Sequence, residues 1–356
     1  MNRKNVAIVT WYHSKNFGSQ LQAYALYYVI KRFGFDVYMI CLCNHARLRK
    51  IYYCILNSLP HRIARLLNKS VEEPSYQFVK TYLEEKSVPP QEFKSGFDAV
   101  VCGSDQIWAP NQFKPYYMLS IVPDKVNKIS YAASIGLENI PDDLVNDYKK
   151  YVGRINHVSV REDKGKELLE KKCGIESTVV LDPTLLVDKK EWDFIKREPD
   201  IKRNYIFCYF LKKDHQYGSL VKDFAKQKEF TIIGVSDNTD DALWMQLLSH
   251  QQVGPCEFIG LIEGAKAVIT DSYHGTIFSM LYHKPFILFE RFNKEDNICQ
   301  NSRIEQLKKY FGIDDRVVNP NLINQLDITP IDYSKFEPSL AILREKSMRF
   351  LKDALL

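Results

Sequence analysis

Between Ala267 and Leu281 the chain reads Ala-Val-Ile-Thr-Asp-Ser-Tyr-His-Gly-Thr-Ile-Phe-Ser-Met-Leu. An apolar run, Ala267-Val268-Ile269, passes through a polar turn at Thr270–Thr276 into the amphipathic Ile277–Leu281. That is the layout of a buried parallel strand, a tight turn and a helix. Open α/β sheets bind ligands at the carboxyl ends of their strands. His274 therefore brings a titratable imidazole to the place of a substrate, beside helix N–H groups that favour anions. Taken alone, the segment reads equally as a capping loop with an incidental histidine.

A second unit of the same kind favours a site. Val6-Ala7-Ile8-Val9-Thr10-Trp11 reads as a buried strand and Asn16-Phe17-Gly18-Ser19-Gln20 as a polar loop. A helix follows, with Leu21, Ala25, Tyr28 and Val29 at helical spacing. Gly18 is expected to make a positive-φ turn and Ser19 to cap the helix. The loop has neither the Gly-x-Gly-x-x-Gly of a dinucleotide site nor the Gly-Lys-Ser/Thr of a P-loop, so cofactors of those classes are not expected.

Strand-like runs recur along the chain. Phe97–Cys102 leads into Gly103-Ser104-Asp105-Gln106-Ile107-Trp108, Lys128–Ala132 into Ala133-Ser134, His157–Val160 into Arg161-Glu162, and Thr178–Leu181 into Asp182. Helical patterns lie at 142–152 and 163–172. A second set of strands, at 205–210, 230–235, 266–270 and 285–289, alternates with helices near 216–228, 241–250, 257–264 and 274–283. Such alternation predicts parallel sheets. The expected architecture is α/β with two Rossmann-like domains, over 1–185 and 200–335, their parallel sheets facing a cleft. The charged stretch 183–204 reads as a linker, and a last helix over 338–356 is expected to pack back across the domains. Polar residues gather at the strand ends: Asn16, Ser104, Asp105, Gln106, Ser134, Arg161, Asp182 and Ser272–His274. Their repetition at one edge of two sheets is what a cleft enzyme requires.

At 356 residues the chain is long for one core. Its 45% apolar and 26% charged residues are those of an ordinary globular protein. No apolar run reaches the ~18–20 residues of a membrane span. Met1–Lys4 lead into a strand without a signal-peptide core, so a cytoplasmic protein is expected. The eight cysteines include no Cys-x-x-Cys pair, and no metal site is expected. The net charge of +5 is uneven. Arg47, Arg49, Lys50, Arg62, Arg65 and Lys69, interleaved with aromatic and aliphatic residues and no acid, form a basic helical insertion over 45–90. This insertion suits an anionic membrane surface at the inner face, or simply covers the domain. No nucleic-acid motif accompanies the charge.

The loops Asn16–Leu26, Gly103–Trp108, Ser159–Glu162 and Ser272–Gly275 together resemble those of the polysaccharide pyruvyl transferase family, in order over about residues 5–310. The resemblance implies a GT-B-like fold. It also implies transfer of pyruvate from phosphoenolpyruvate, a donor substrate rather than a cofactor, to two hydroxyls of a sugar, giving a cyclic ketal. The acceptor in such enzymes is a cell-surface glycan, often lipid-linked. By the same resemblance the N-terminal domain takes the acceptor and the C-terminal domain the donor. His274 and Asp105 stand as catalytic candidates. Asn16, Gly18, Ser19, Gln20, Ser104, Gln106, Ser134, Arg161, Ser272, Tyr273, Gly275, Arg291 and Arg303 stand as substrate-binding candidates.

One departure matters. Family members carry an arginine two positions before this histidine, where this chain has Ser272, and a serine cannot grip an anion as a guanidinium does. Arg161 is the first candidate to replace it; Arg291 and Arg303 are next, and each also reads as an ordinary surface arginine. Two rivals remain. A nucleotide-sugar glycosyltransferase would want an acidic partner for the ribose, with Glu257, Glu263 and Glu290 available. A silent scaffold in glycan assembly would explain the missing arginine.

Overall fold

The computed structural model describes residues 3–14, 16–41, 74–87, 96–212, 217–235, 242, 245–248, 252–292, 301–319, 326 and 328–356. The basic residues Arg47–Lys69 lie outside the described residues. The chain divides into two compact units, one of Met1–Leu186 with Leu343–Leu356, the other of Val187–Ile342.

The first unit runs β1 (Asn5–Val9), α1 (Phe17–Arg32), β2 (Asp36–Cys41), α2 (Pro74–Tyr82), β3 (Glu85–Ser87), β4 (Ala99–Cys102), β5 (Asn127–Ser130), α3 (Asp142–Val152), β6 (Ser159–Val160), α4 (Asp163–Leu168) and β7 (Thr178–Val179). Its five-stranded sheet has the order β3-β2-β1-β4-β5, with every pairing parallel. Isolated bridges Ile129↔His157 and Ala133↔Val160 carry the pattern on towards β6. Ala7, Val9, Val100 and Cys102 pack with Trp108, Met118, Ile140, Tyr148 and Val152 in the core below one face. α1 packs on β2 and is buried from Phe17 to Tyr27 without a break, so its Ser19, Gln20 and Gln22 need partners indoors.

α1 begins earlier than expected. Asn16 is its cap, accepting from the Ser19 backbone N–H at 3.3 Å, and Phe17, Gly18 and Ser19 form its first turn. Asparagine is at least as good a cap as serine, so the helix starts at the first residue able to cap it. The expected Gly18 turn and Ser19 cap are both replaced.

The second unit runs α5 (Lys189–Ile195), β8 (Tyr205–Tyr209), α6 (Gly218–Lys228), β9 (Thr231–Val235), β10 (Gln246–Leu247), α7 (Pro255–Gly264), β11 (Ala267–Thr270), α8 (Tyr273–Leu281), β12 (Phe286–Phe289), α9 (Ser302–Phe311), β13 (Val317–Val318) and the start of α10 (Phe336–Leu355). Its six-stranded sheet is parallel throughout, in the order β10-β9-β8-β11-β12-β13. Counted from its own first strand this is 3-2-1-4-5-6, the doubly wound order; the first unit repeats its first five places.

Two expectations are corrected here. Within 241–250 a helix is expected, yet Gln246–Leu247 pairs with β9, because a short apolar run fits either structure. The supposed linker 183–204 contains α5, whose Trp192 is fully buried with its ring 5.0 Å from Phe278. Its charges conceal one apolar stripe. Among the described residues no helix is long and apolar enough to cross a membrane.

Residues 343–356 belong to the first unit. The Leu181 N–H donates to Ser347 Oγ, Asn127 Nδ2 to the Ala354 carbonyl at 2.8 Å, and Lys4 Nζ to the Leu356 carbonyl at 3.0 Å.

Candidate functional site

In each sheet the direction of winding reverses between two central strands, and a crevice opens there at the carboxyl ends. In the first unit these strands are β1 and β4; in the second, β8 and β11. Three of the four loops singled out in the sequence, after β1, β4 and β11, fall at these points, while Ser159–Glu162 belongs to β6 and does not.

In the first unit the crevice is crossed by side chains bonding to one another. Thr10 Oγ1 donates to the Ser104 carbonyl at 3.0 Å, the Ser104 N–H to Gln22 Oε1 at 2.9 Å, and Ser19 Oγ to Asp105 Oδ2 at 2.5 Å. Gln20 Nε2 donates to the carbonyls of Tyr12 and Ser75. Gly103 is required where it stands: its φ is +119°, and a Cβ there would run into the Tyr131 carbonyl. Asp105 follows at φ 70°, a region aspartate tolerates better than most residues. Its Oδ1 accepts from the Gln106 N–H at 2.9 Å.

Arg161 lies beneath, 2% exposed. It bonds Asp182 Oδ2 at 2.8 Å and has Glu162 at 3.8 Å and Asp105 at 3.9 Å. Each carboxylate has further donors. Asp182 accepts from the Thr184 N–H and hydroxyl, and Glu162 from Ser134 Oγ and the N–H groups of Ile135 and Gly136. Buried charges persist when paired and hydrogen-bonded in this way. The expectation that Arg161 grips the donor anion is therefore corrected: its charge is committed to protein carboxylates and shut off from solvent. Ser19, Ser104 and Ser134 are likewise interior, holding the crevice in shape, whereas Asn16 and Gln106 are partly exposed at its surface.

The second unit brings Tyr273, Arg291 and Arg303 to a recess, whereas Ser272, His274 and Gly275 are not among its lining residues. Thr270 Oγ1 donates to the Tyr209 carbonyl at 2.6 Å and accepts from the Ser272 N–H at 3.0 Å. Ser272 caps α8, accepting from the Gly275 N–H at 3.3 Å. Asp271 accepts from the Leu211 and Lys212 N–H groups at 2.7 and 2.9 Å, closing the β8–β11 crevice. Arg291 Nη2 donates to the Asp271 carbonyl at 2.6 Å, with its Nε 3.6 Å from the Asp271 carboxylate. Arg303, in the first turn of α9, lies over the Tyr273 ring at 5.7 Å, within cation–π range.

A recess of about 400 Å³, counting the space open to solvent, is lined by Asp271, Tyr273, Glu290, Arg291, Asn301 and Arg303 among others. Two guanidiniums and the start of a ten-residue helix thus converge at the ends of β11 and β12. Such a place suits an anion. Glu305 also lines it but is paired with Lys308 at 3.0 Å, and Asp271 is occupied by backbone N–H groups and Arg291, so among the described residues Glu290 is the remaining acid there. Tyr217, near Asp271 and Arg291, has its phenol pushed up by burial, with the Asp271 charge adding, and stays protonated. His274, the next residue after Tyr273, is 5% exposed and meets that ring edge-on at 5.2 Å. Asp271 and Asn301 were not singled out in the sequence, although Asp271 sits inside its most telling stretch. Of the other two acids, Glu257 closes the N-terminus of α7 on the Gly254 N–H and Glu263 pairs with Lys196.

A family model described as polysaccharide pyruvyl transferase matches residues 16–291. The chain belongs to that family. It is accordingly a transferase, and the matched range contains the second unit's crevice, Arg291 and the first crevice from Asn16 onward, though not β1 or Thr10. No curated protein sequence matches it. Among solved structures it is similar to a Listeria monocytogenes protein assigned as a UDP-N-acetylglucosamine 2-epimerase, with 8% identity and a TM-score of 0.52 over 99% of this chain and 91% of that one. The UDP-GlcNAc 2-epimerase of Methanocaldococcus jannaschii gives 13%, 0.48, 96% and 91%, and the ADP-heptose heptosyltransferase II of E. coli 13%, 0.40, 96% and 99%. The Listeria likeness carries the fold alone, and the transferase is GT-B-like.

Proposed function

We propose that this transferase moves the pyruvyl group of phosphoenolpyruvate onto two hydroxyls of a sugar in a cell-surface polysaccharide or its lipid-linked precursor, closing a cyclic ketal. In that reaction carbon-3 of the donor gains a proton, each sugar oxygen bonds to carbon-2, and phosphate departs. Of the two hydroxyl protons one balances carbon-3 and the other the phosphate. The observation that carries this reading is the recess in the second unit, where Arg303 and the start of α9 offer positive charge to a small polyanion, beside Arg291, which Asp271 partly neutralises. In this role Arg291 and Arg303 stand in for the arginine missing at Ser272. His274 serves proton transfer at carbon-3, for which an imidazole is suited near neutral pH. The acceptor goes to the first unit, and the basic segment Arg47–Lys69 keeps the enzyme near a membrane-borne glycan.

Glu290 favours one other reading. A carboxylate beside an anion site can take ribose hydroxyls, as a nucleotide-sugar glycosyltransferase requires. Calorimetric titration with phosphoenolpyruvate and with UDP-sugars separates the two. Tight binding of phosphoenolpyruvate that Arg303→Ala weakens supports pyruvyl transfer; binding of UDP-sugars alone overturns it. In turnover with lipid-linked glycans, His274→Ala is expected to be inactive yet folded, and activity equal to wild type would remove the role given to His274.

A further inference from the structure

Three side chains converge towards the β3 edge of the first sheet, one of them in the loop after β1 that borders the first crevice. His13 lies in the loop after β1, Cys41 ends β2 and Glu85 opens β3, three strands adjacent in the sheet. The β2–β3 register sets Met39 opposite Glu85 and Cys41 opposite Ser87. Paired residues share a face and every second residue returns to it, so Cys41 and Glu85 project from the same face, two positions apart. One ligand atom each from His13, Cys41 and Glu85 lie within 4.8 Å of one another. The closest pair is His13 Nε2 and Glu85 Oε2, at 2.6 Å.

We propose that His13, Cys41 and Glu85 bind a divalent metal ion of the zinc class, with water as its fourth ligand. Zinc bonds imidazole nitrogen and carboxylate oxygen at about 2.0–2.2 Å and thiolate sulfur at about 2.3 Å, so its ligand atoms stand about 3.3–3.8 Å apart. Side-chain rotation brings the present arrangement to that spacing. The mixture selects the metal: a thiolate with an imidazole excludes the hard cations calcium and magnesium, which take oxygen sets. Three protein ligands and one open position is the form of a site that keeps a water. Access is provided for, since the His13 and Glu85 side chains are 31% and 26% exposed, while Cys41 is 5% exposed and supplies the drier side.

The surroundings hold the ligands in place. The Tyr12 hydroxyl donates to Glu85 Oε2 at 3.1 Å, the kind of outer contact that orients a metal-binding carboxylate. Gln20 anchors the Tyr12 carbonyl from the first turn of α1. On binding, the ion takes the position of the proton shared by His13 and Glu85, and the Cys41 thiol gives up its proton to solvent as its sulfur–metal bond forms. Positions 13, 41 and 85 are too far apart in the chain to make any Cys/His spacing, so no motif announces the site and a metal is not expected from the sequence.

The test uses the full chain, stripped with a chelator and titrated with Zn²⁺ against a chromophoric competitor, then with Co²⁺ followed by absorption. One equivalent of zinc is expected, and cobalt should show tetrahedral bands with a thiolate-to-cobalt charge-transfer band. His13→Ala and Cys41→Ser should each abolish that equivalent, circular dichroism verifying the fold. His13 is the safer probe because it is partly exposed. Tyr12→Phe should weaken zinc about 10–100-fold. Failure of the wild type to bind stoichiometric zinc, cobalt bound without a thiolate band, or binding unchanged in folded His13→Ala would each overturn the proposal and leave His13 and Glu85 an ordinary ion pair.

Discussion

Asp105, Glu162 and Asp182 present three carboxylates to the Arg161 guanidinium inside the first unit. Removing it while leaving them buried is the costly half of a broken pair, and Arg161→Met is expected to lose about 3–5 kcal/mol of unfolding free energy in denaturant titration. A loss below ~1 kcal/mol, as at a surface position, would contradict the structural role. Arg303 makes the opposite case. It lines the recess but is itself only 8% exposed, so Arg303→Ala should lower the denaturation midpoint through lost packing on Tyr273, with its larger effect on binding. Phosphoenolpyruvate affinity should fall by about tenfold or more, the worth of a hydrogen bond to a charged group. Isothermal titration decides it. Nothing in the sequence separated the two arginines, because what distinguishes them is the charge gathered by distant loops. Arg161 meets Asp105 and Asp182 only after the sheet has formed.

The turn from β11 into α8 shows how closely an element can be specified. Ser272→Ala removes the cap and should cost about 0.5–2 kcal/mol. Gly275→Ala gains about 1 kcal/mol in helix propensity, yet it is predicted to destabilise as well. A Cβ at Gly275 would sit 2.7 Å from Thr270 Oγ1, the atom that links Tyr209 to Ser272. A thermal melt in which Gly275→Ala melted higher than wild type would refute this. Elements of this kind were legible in the sequence: Asp142–Val152 has the bounds that its periodicity predicts, and β1, β4, β8, β11 and β12 lie where their apolar runs do, whereas β3, Glu-Lys-Ser without an apolar residue, corrects the helical insertion expected over 45–90. β10 and β13, of two residues each, were not, since so short a pairing leaves no period to read. Of the candidate site, the strand-end loops were legible. The metal-type cluster was not, because its residues belong to three separate elements.

At the scale of the molecule, the first unit is completed by the last stretch of chain. Leu351, Ala354 and Leu355 are 0%, 3% and 2% exposed. Burying a leucine side chain contributes about 1.5–3 kcal/mol, so deleting residues 343–356 should remove several kcal/mol from the first unit. Hydrogen exchange should then quicken in β5, whose Asn127 loses its bond to Ala354, and remain as it was in β11. Equal quickening in both strands would contradict the division of the chain. The basic segment makes a second prediction at this scale. With attraction of about 1 kcal/mol per basic residue near an anionic surface, sedimentation with anionic vesicles should fall steeply between low and physiological salt. Charge reversal at Arg47, Arg49 and Lys50 should abolish it, and indifference to salt would exclude an electrostatic tether.

The bond between Lys4 and the Leu356 carbonyl has a mechanical meaning. The first strand and the final helix are fastened within the same unit, and the other unit is inserted between them along the chain. Tension applied from Lys4 to Leu356 therefore stretches the first unit alone. The inserted one bears no load until residues 343–356 have peeled away. Under force the molecule should yield in two successive steps, with the unit that holds the Arg303 recess the last to open.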